Sequence, residues 1–127
     1  MIRGVRGAIT VTENKEAHML EATEELLAEM IEKNQIKPDD VAHVLITVTD
    51  DLHATFPAKA LRKFEGWKFV PVMCSVEIPV PNSLASCIRV MMTVNTEKRQ
   101  EDIQHVYLRN AITLRPDLQL TKESETL

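Results

Sequence analysis

The chain has 127 residues, a length typical of a single domain that buries a hydrophobic core of its own. Its 19 Asp and Glu residues outnumber its 15 Lys and Arg residues, and the resulting net charge of −4 argues against a nucleic-acid-binding surface. The chain has no apolar signal segment at its start and no apolar run near the ~20 residues that span a bilayer, so a cytoplasmic protein without membrane contact is predicted.

The first part of the chain predicts a strand, a long helix and a second strand. Residues 2–11 have the composition of a strand, and a helix from about residue 12–14 to Asn34 carries its apolar side chains on one stripe. Residues 37–40 have the composition of a turn or short helix. Residues 41–49 then alternate between apolar side chains and others, which predicts the second strand.

The rest of the chain predicts a short helix and three further strands. Residues 56–62 form the helix, because Pro57 suits a first helical position. The strands are residues 67–78, residues 87–95 and residues 105–114, and the prolines of the first indicate an edge or an irregular end. We therefore expect one α+β domain over residues 1–127, with a long and a short helix covering a mixed sheet of about five strands, and a mobile tail over residues 115–127.

One charged residue, Arg89, lies in the middle of an otherwise apolar strand. Successive side chains of a strand point to opposite faces, so Arg89 shares a face with Met91, and Ile88 and Val90 share the other. A guanidinium that loses water needs an anion, which is either Glu77 or a group of a ligand. Because both faces of this sheet are apolar and the helices suffice for one, the chain is predicted to self-associate.

The two cysteines, Cys74 and Cys87, are too few for a zinc site or a disulfide framework. Phosphate-binding loops and the HExxH and GxSxG motifs are absent, so chemistry without a metal or a cofactor is predicted. A cysteine nucleophile served by His53 or His105 is an alternative, but no motif surrounds either thiol.

The stronger pattern is a set of cationic side chains in an acidic protein. Its members stand near strand ends or helix starts: Arg6, Arg62, Arg89 and Arg115, together with Tyr107. Guanidinium groups bind carboxylates through two parallel hydrogen bonds, so such a set predicts a site for a small dianion, with one donor left for charge that develops during a reaction.

Several blocks of sequence, in this order, resemble the monofunctional chorismate mutases of the AroH type. The blocks are RGVRGA at residues 3–8, FPA at 56–58, CIRV at 87–90, HVYL at 105–108 and LRPDL at 114–118. This resemblance covers nearly the whole chain. It implies a homotrimer with a pseudo-α/β-barrel arrangement and active sites between subunits. It also implies that chorismate is converted to prephenate by a Claisen rearrangement, the branch step toward phenylalanine and tyrosine, without a cofactor.

The resemblance further implies a role for individual side chains. Arg89 would donate a hydrogen bond to the ether oxygen as its bond breaks, and Glu77 would accept one from the ring hydroxyl. Arg6 and Tyr107 would hold a substrate carboxylate. The pocket would be completed by Cys74, by a neighbouring subunit's Phe56, Ala58, Lys59, Arg62 and Met73, and by Leu114 and Arg115, which lead into a covering tail.

Two points stay open at this stage. Cys74 and Glu77 are an odd number of positions apart and would face opposite ways, so either the strand is irregular there or Cys74 acts through its backbone. Two other functions also remain: a trimeric deaminase of reactive enamines or imines, and a trimer that binds a small carboxylate without transforming it.

Overall fold

The computed structural model describes residues 1–114. Its regular elements are the strands β1 Ile2–Thr10, β2 Val41–Val48, β3 Val72–Val76, β4 Cys87–Asn95 and β5 Val106–Leu108, and the helix α1 Glu16–Asn34. Short 3-10 helices occupy Pro38–Asp40, Pro57–Lys63, Gln100–Asp102 and Arg109–Leu114. The predicted α+β class with a mixed five-stranded sheet is confirmed. Within this part of the chain, no helix is long and apolar enough to cross a membrane.

The strand with the arginine, β4, lies at the centre of the sheet, whose order is β3-β2-β4-β1-β5. It pairs antiparallel with β1 on one side and with β2 on the other. The edge strands pair in parallel, β3 with β2 and β5 with β1. A parallel neighbour requires a crossover, and the connection from β2 to β3 carries the short helix Pro57–Lys63.

One face of the sheet is covered by α1. The helix buries Leu26, Leu27 and Met30 completely against this face, as its apolar stripe predicts. Close packing depends on Gly7 of β1, because a Cβ atom there would lie 2.5 Å from the sulfur of Met30. A side chain at position 7 would therefore push α1 away from the sheet.

The opposite face, which we call the open face, carries side chains that no helix of residues 1–114 covers. Met73, Leu45 and Met91 stand on it with 74%, 42% and 38% of their surfaces exposed. Near β5 this face is partly closed by a small cluster in which Ala8, Cys87 and Ala111 are buried and Tyr107 and Leu114 pack against them.

The third strand is shorter than predicted. Residues 67–71 form turns rather than strand, with the Val70 amide donating to the Trp67 carbonyl at 3.1 Å. Trp67 is buried, so its apolar character serves the core from a loop. Pro71 cannot donate a ladder hydrogen bond, and its carbonyl accepts from the Val44 amide just before β3 begins.

The last strand is also shorter, and the prediction that it runs from residue 105 to 114 was wrong in its second half. Arg109 adopts a left-handed backbone with φ 55°, which ends β5. The turn is held in place because the Arg109 guanidinium donates to the Thr10 carbonyl and the Asn110 amide donates to the Thr10 hydroxyl. A continued strand would place Arg109 on the same face as Tyr107, but its side chain instead reaches Glu25 of α1 at 3.4 Å.

Candidate active site

A row of side chains crosses the open face of the sheet. Strand register places Thr47 of β2 opposite Arg89 of β4, and Arg89 opposite Ala8 of β1. The same row continues to Ser75 of β3 at one edge and to Tyr107 of β5 at the other. Because residues that pair across a sheet point to the same face, this row brings together side chains from all five strands.

At the centre of the row, Arg89 forms a bidentate ion pair with Glu77. Arg89 Nε donates to Glu77 Oε2 at 2.6 Å, and Nη2 donates to Oε1 at 2.9 Å. Glu77 lies one residue beyond β3, where its backbone amide donates to the Val48 carbonyl and continues the pairing with β2. Thr47 adds a hydrogen bond from its hydroxyl to Glu77 Oε2. Two parallel bonds fix both distance and plane, so the guanidinium is held in one orientation.

The electrostatics of this pair favour two charged groups. The hydrogen bond from Arg89 lowers the pKa of Glu77, burial opposes this effect, and the Thr47 hydroxyl lowers it further. The hydrogen bond to Glu77 in turn raises the pKa of Arg89. Arg89 Nη1 makes no hydrogen bond within residues 1–114. Arg89 Nη1 is therefore available to donate to a ligand.

Arg6 of β1 lines a cavity of about 190 Å³ together with Thr47, Glu77 and Arg89. Its Nε is buried and has no hydrogen-bond partner among residues 1–114, and the same holds for the hydroxyl of Tyr107. Buried polar atoms are nearly always hydrogen-bonded, so two unpaired donors in this region need an explanation. A bound anion would provide the missing acceptor.

A second cavity, of about 290 Å³, adjoins the other side of the ion pair. Glu77 and Arg89 line it together with Leu84, Cys87 and Leu114. Leu114, which was predicted to lie near the substrate, thus lines the same cavity as the ion pair. Arg115, the other residue of that prediction, lies outside the described residues.

A groove of about 520 Å³ lies on the other side of β3, beside the short helix Pro57–Lys63. Phe56, Lys59 and Cys74 line it, and the Lys59 ammonium group reaches Glu16 of α1 at 3.6 Å. The thiol of Cys74 is hydrogen-bonded by the backbone of Ala58, although burial is the larger effect and raises the pKa of the thiol. We call this region the groove.

The predicted site residues are therefore divided between two places within one protomer. Arg6, Glu77, Arg89, Tyr107 and Leu114 lie on the open face, and Phe56, Ala58, Lys59 and Cys74 lie at the groove. Met73 stands on the open face and is mostly exposed, and Arg62 is exposed and lines none of these cavities.

The odd spacing of Cys74 and Glu77 has a simple structural reason. The pairing of β2 with β3 is regular from Val72 to Val76, so the irregular strand, one of the two alternatives, is absent. Cys74 pairs with the buried Ile46 and faces the side of the helices, whereas Glu77 reaches Arg89 on the open face.

The alternative of a cysteine nucleophile finds no support at either thiol. Cys87 is only 3% exposed, and burial raises the pKa of its thiol to about 11. The pKa of the Cys74 thiol is also raised by burial. A thiol attacks as its thiolate, so both cysteines are weak nucleophiles at neutral pH.

One residue of the ion-pair cluster, Thr47, was missed by sequence analysis. A threonine in a strand is common, because its branched side chain suits a pleated sheet. The alternation of β2 assigns Thr47 to one of two faces. Only the register between β2 and β4, which is a long-range property, places it opposite Arg89.

Comparison with known proteins identifies the family of this chain. The family model for chorismate mutase type I matches residues 2–118. A curated relative named chorismate mutase AroH, from Bacillus subtilis (strain 168), is 53% identical over 125 residues, which cover 98% of each chain. A second relative of that name, from Thermus thermophilus, is 48% identical over 120 residues, covering 94% of this chain and 98% of its own.

A solved structure is similar as well. A chorismate mutase from Clostridium thermocellum superposes with a TM-score of 0.84 and 49% sequence identity, covering 87% of this chain and 97% of its own. The family match spans both the strand of Arg89 and the groove. This chain belongs to the type I chorismate mutase family, whose members are isomerases.

Proposed function

We propose that this chain converts chorismate to prephenate by a Claisen rearrangement, as a single cytoplasmic domain that supplies the branch toward phenylalanine and tyrosine. The reaction breaks the ether C–O bond and forms a C–C bond within one molecule, so no group is added or removed. Negative charge builds on the ether oxygen as its bond breaks. The protein must therefore provide an aligned hydrogen-bond donor, whereas a nucleophile is unnecessary.

The observation that supports this mechanism is the bidentate pair of Arg89 and Glu77. Two of the guanidinium nitrogens bind the carboxylate, and Nη1 has no partner within residues 1–114. Because Glu77 sets the plane of the guanidinium in advance, Nη1 is aimed before substrate arrives. A donor that needs no reorganisation can stabilise the transition state more than the ground state, which is what accelerates a reaction.

The remaining groups of the open face suit the two ends of chorismate. Arg6 and Tyr107 would bind a carboxylate, which would satisfy the buried Arg6 Nε and the buried Tyr107 hydroxyl. The Glu77 carboxylate would accept a hydrogen bond from the ring hydroxyl. Each of these contacts would position the substrate, and Arg89 would be the donor to the ether oxygen, on which the charge changes.

The groove would complete this site in a homotrimer. Cys74 and Glu77 lie on opposite sides of one edge strand, so the groove of a protomer does not face its own Arg89. The exposed apolar side chains of the open face favour contact with a second copy. In the trimer, a neighbour would bring Phe56, Ala58, Lys59, Arg62 and Met73 to the cavity. Cys74 would also line the pocket, and Leu114 and Arg115 would lead a tail over it.

The decisive experiment mixes the purified protein with chorismate and follows the loss of chorismate and the appearance of prephenate. Prephenate formation supports the proposal. Saturable binding of chorismate without product would indicate a carboxylate-binding protein, and release of ammonia from an imine would indicate a deaminase. Measurement of the mass in solution tests the trimer, and an active monomer would contradict the shared site.

A further inference from the structure

Thr47 donates a hydrogen bond to Glu77 of the central ion pair. We propose that Thr47 is a positioning residue whose hydroxyl sets the rotation of the Glu77 carboxylate, and through it the aim of Arg89. This inference rests on the proposed function, because it assigns Thr47 a part in orienting the two groups that would contact chorismate. Thr47 itself would not touch the reacting atoms.

The two carboxylate oxygens of Glu77 accept different numbers of hydrogen bonds. Oε2 accepts from the Thr47 hydroxyl and also from Arg89 Nε at 2.6 Å. Oε1 accepts only from Arg89 Nη2, at 2.9 Å, within the described part of the chain. Since each carboxylate oxygen can accept about two hydrogen bonds, Oε2 is saturated and Oε1 has one acceptor position left. Thr47 thus selects Oε1 as the atom that would bind the substrate hydroxyl.

The sheet holds Thr47 where this selection is possible. Its Cα is paired with Arg89 of β4 on one side and with Ser75 of β3 on the other. The next residue, Val48, accepts the backbone hydrogen bond of Glu77 at 2.8 Å. The branched Cβ of threonine restricts rotation of its side chain, so the hydroxyl keeps a defined direction.

Without this hydroxyl the carboxylate would have more freedom. The terminal torsion of a glutamate is broad, and the pair with Arg89 could rotate as a unit about the long side chains. The hydroxyl also stabilises the ionised form of Glu77, because it donates to a charged oxygen. Loss of the Thr47 hydroxyl should therefore disturb the alignment of Glu77 and Arg89, and it should shift the acid limb of the pH profile.

The test compares Thr47→Val, which removes the hydroxyl at nearly constant shape, with Thr47→Ser, which keeps it. We expect Thr47→Val to lower kcat/KM for chorismate about tenfold, the effect of losing one hydrogen bond to a charged group. The acid limb of its pH profile should move to higher pH, because the pKa of Glu77 rises when a donor is lost. Thr47→Ser should keep kcat/KM within about threefold of the wild type and keep the acid limb in place.

Thr93→Val is the matched control. Thr93 stands on the same face of β4, four positions from Arg89, and its hydroxyl is hydrogen-bonded to His43 rather than to the ion pair. This variant also loses a hydroxyl and a side-chain hydrogen bond, so it reports any general cost to the sheet. We expect its kcat/KM and acid limb to match the wild type. Thermal unfolding of every variant shows whether it is folded, and Thr47→Ala replaces Thr47→Val if the latter is not.

The results distinguish a positioning role of Thr47 from a purely structural one. An unchanged kcat/KM in Thr47→Val, or equal damage in Thr47→Ser, would overturn the inference, because the hydroxyl would then be dispensable or the methyl group would be the important part. A lower rate with an unshifted acid limb would also overturn it, since that is the mark of a purely structural residue. A wild type that forms no prephenate would instead refute the proposed function.

Discussion

The open face and the groove lie on opposite sides of β3, and they hold their charged groups in different ways. On the open face, Arg89 binds Glu77 through two hydrogen bonds of 2.6 and 2.9 Å. At the groove, Lys59 reaches Glu16 at only 3.6 Å, and both side chains are about half exposed. Exposed pairs of this kind contribute little to stability, and a flexible lysine is easily turned toward another anion.

This difference indicates that the open face and the groove have different roles in the proposed reaction. Side chains on a central strand are held by the hydrogen bonds between strands, so they are already oriented before substrate binds. Stabilisation of a developing charge needs such a preoriented donor. Groups beside a short 3-10 helix can adapt, which is sufficient for binding a substrate carboxylate. In the proposed trimer, the rigid half of the site comes from one subunit and the adaptable half from the next.

The largest effect is expected from Arg89→Ala, which removes the aimed donor of the open face. The kcat for chorismate should fall by about 10² to 10³, the usual cost of losing one such donor. Steady-state kinetics measure this effect, and solution mass and circular dichroism show that assembly and fold persist. If the folded variant kept the wild-type kcat, the electrostatic role of Arg89 would be wrong.

A mixing experiment tests whether the two regions act across subunits. Lys59→Ala should lower kcat/KM about 10- to 100-fold if Lys59 donates the proposed charged hydrogen bond to the substrate. When Arg89→Ala and Lys59→Ala chains are co-expressed in equal amounts, about a quarter of the interfaces in a cyclic trimer combine two intact halves. The mixture should therefore recover about a quarter of the wild-type activity.

The control for mixing is each variant expressed and purified alone by the same procedure. Recovery above both controls requires that Arg89 and Lys59 of one site come from different chains. If both residues served a site within one protomer, mixing would give only the average of the two single-variant activities.

A smaller effect is expected from Tyr107→Phe, which tests whether the Tyr107 hydroxyl serves substrate binding or stability of the fold. The Tyr107 hydroxyl is buried without a hydrogen-bond partner in residues 1–114, so its removal should leave the thermal unfolding midpoint unchanged or raise it slightly. KM for chorismate should rise about tenfold if the hydroxyl binds a carboxylate. A lower midpoint together with an unchanged KM would show that the hydroxyl is structural.

The smallest effect concerns the pH dependence of stability. Hydrogen bonding to Arg89 lowers the pKa of Glu77 in the folded protein, so Glu77 binds protons less readily there than in the unfolded chain. Its contribution to stability is therefore present above the unfolded pKa and is lost as the pH falls through the lower, folded pKa. Thermal unfolding from neutral pH to about pH 3 should show that Glu77→Gln loses less stability on acidification than the wild type.

Glu97→Gln is the control for this measurement, because Glu97 is exposed and takes part in no ion pair within the described residues. It should follow the wild-type pH dependence. Parallel curves for the wild type and Glu77→Gln would mean that the ion pair does not lower the pKa of Glu77 enough to matter for folding.

Local patterns were sufficient for much of this molecule. The 3.6-residue period of α1 and the apolar residues around Arg89 predicted a covering helix and a core strand, because both depend only on residues close together in the chain. The alternation of side chains along a strand implied that Cys74 and Glu77 face opposite ways on a regular strand, and the pairing of β3 with β2 is regular. Residue chemistry also indicated that Arg89 needs an anion, and Glu77 was one of the two candidates, the other being a group of a ligand.

The ends of β3 and β5 were mispredicted because tertiary contacts override local preference. Residues 67–71 are apolar enough for a strand, but Trp67 is buried from a turn. Arg109 could continue β5, yet contacts with Thr10 and Glu25 hold it in a left-handed conformation. Such contacts join residues far apart in the chain, so no local window contains them.

The fold class, the family resemblance and the choice of Arg89 as a candidate could be predicted from the sequence, because composition, periodicity and ordered blocks are properties of the chain alone. Three features could be read only from the folded chain: Thr47 stands opposite Arg89, Glu77 binds two of the Arg89 nitrogens, and the groove lies on the other side of β3. The physical reason is strand register. A shift of one residue turns every side chain of a strand to the other face, and register is set by pairing between strands distant in sequence.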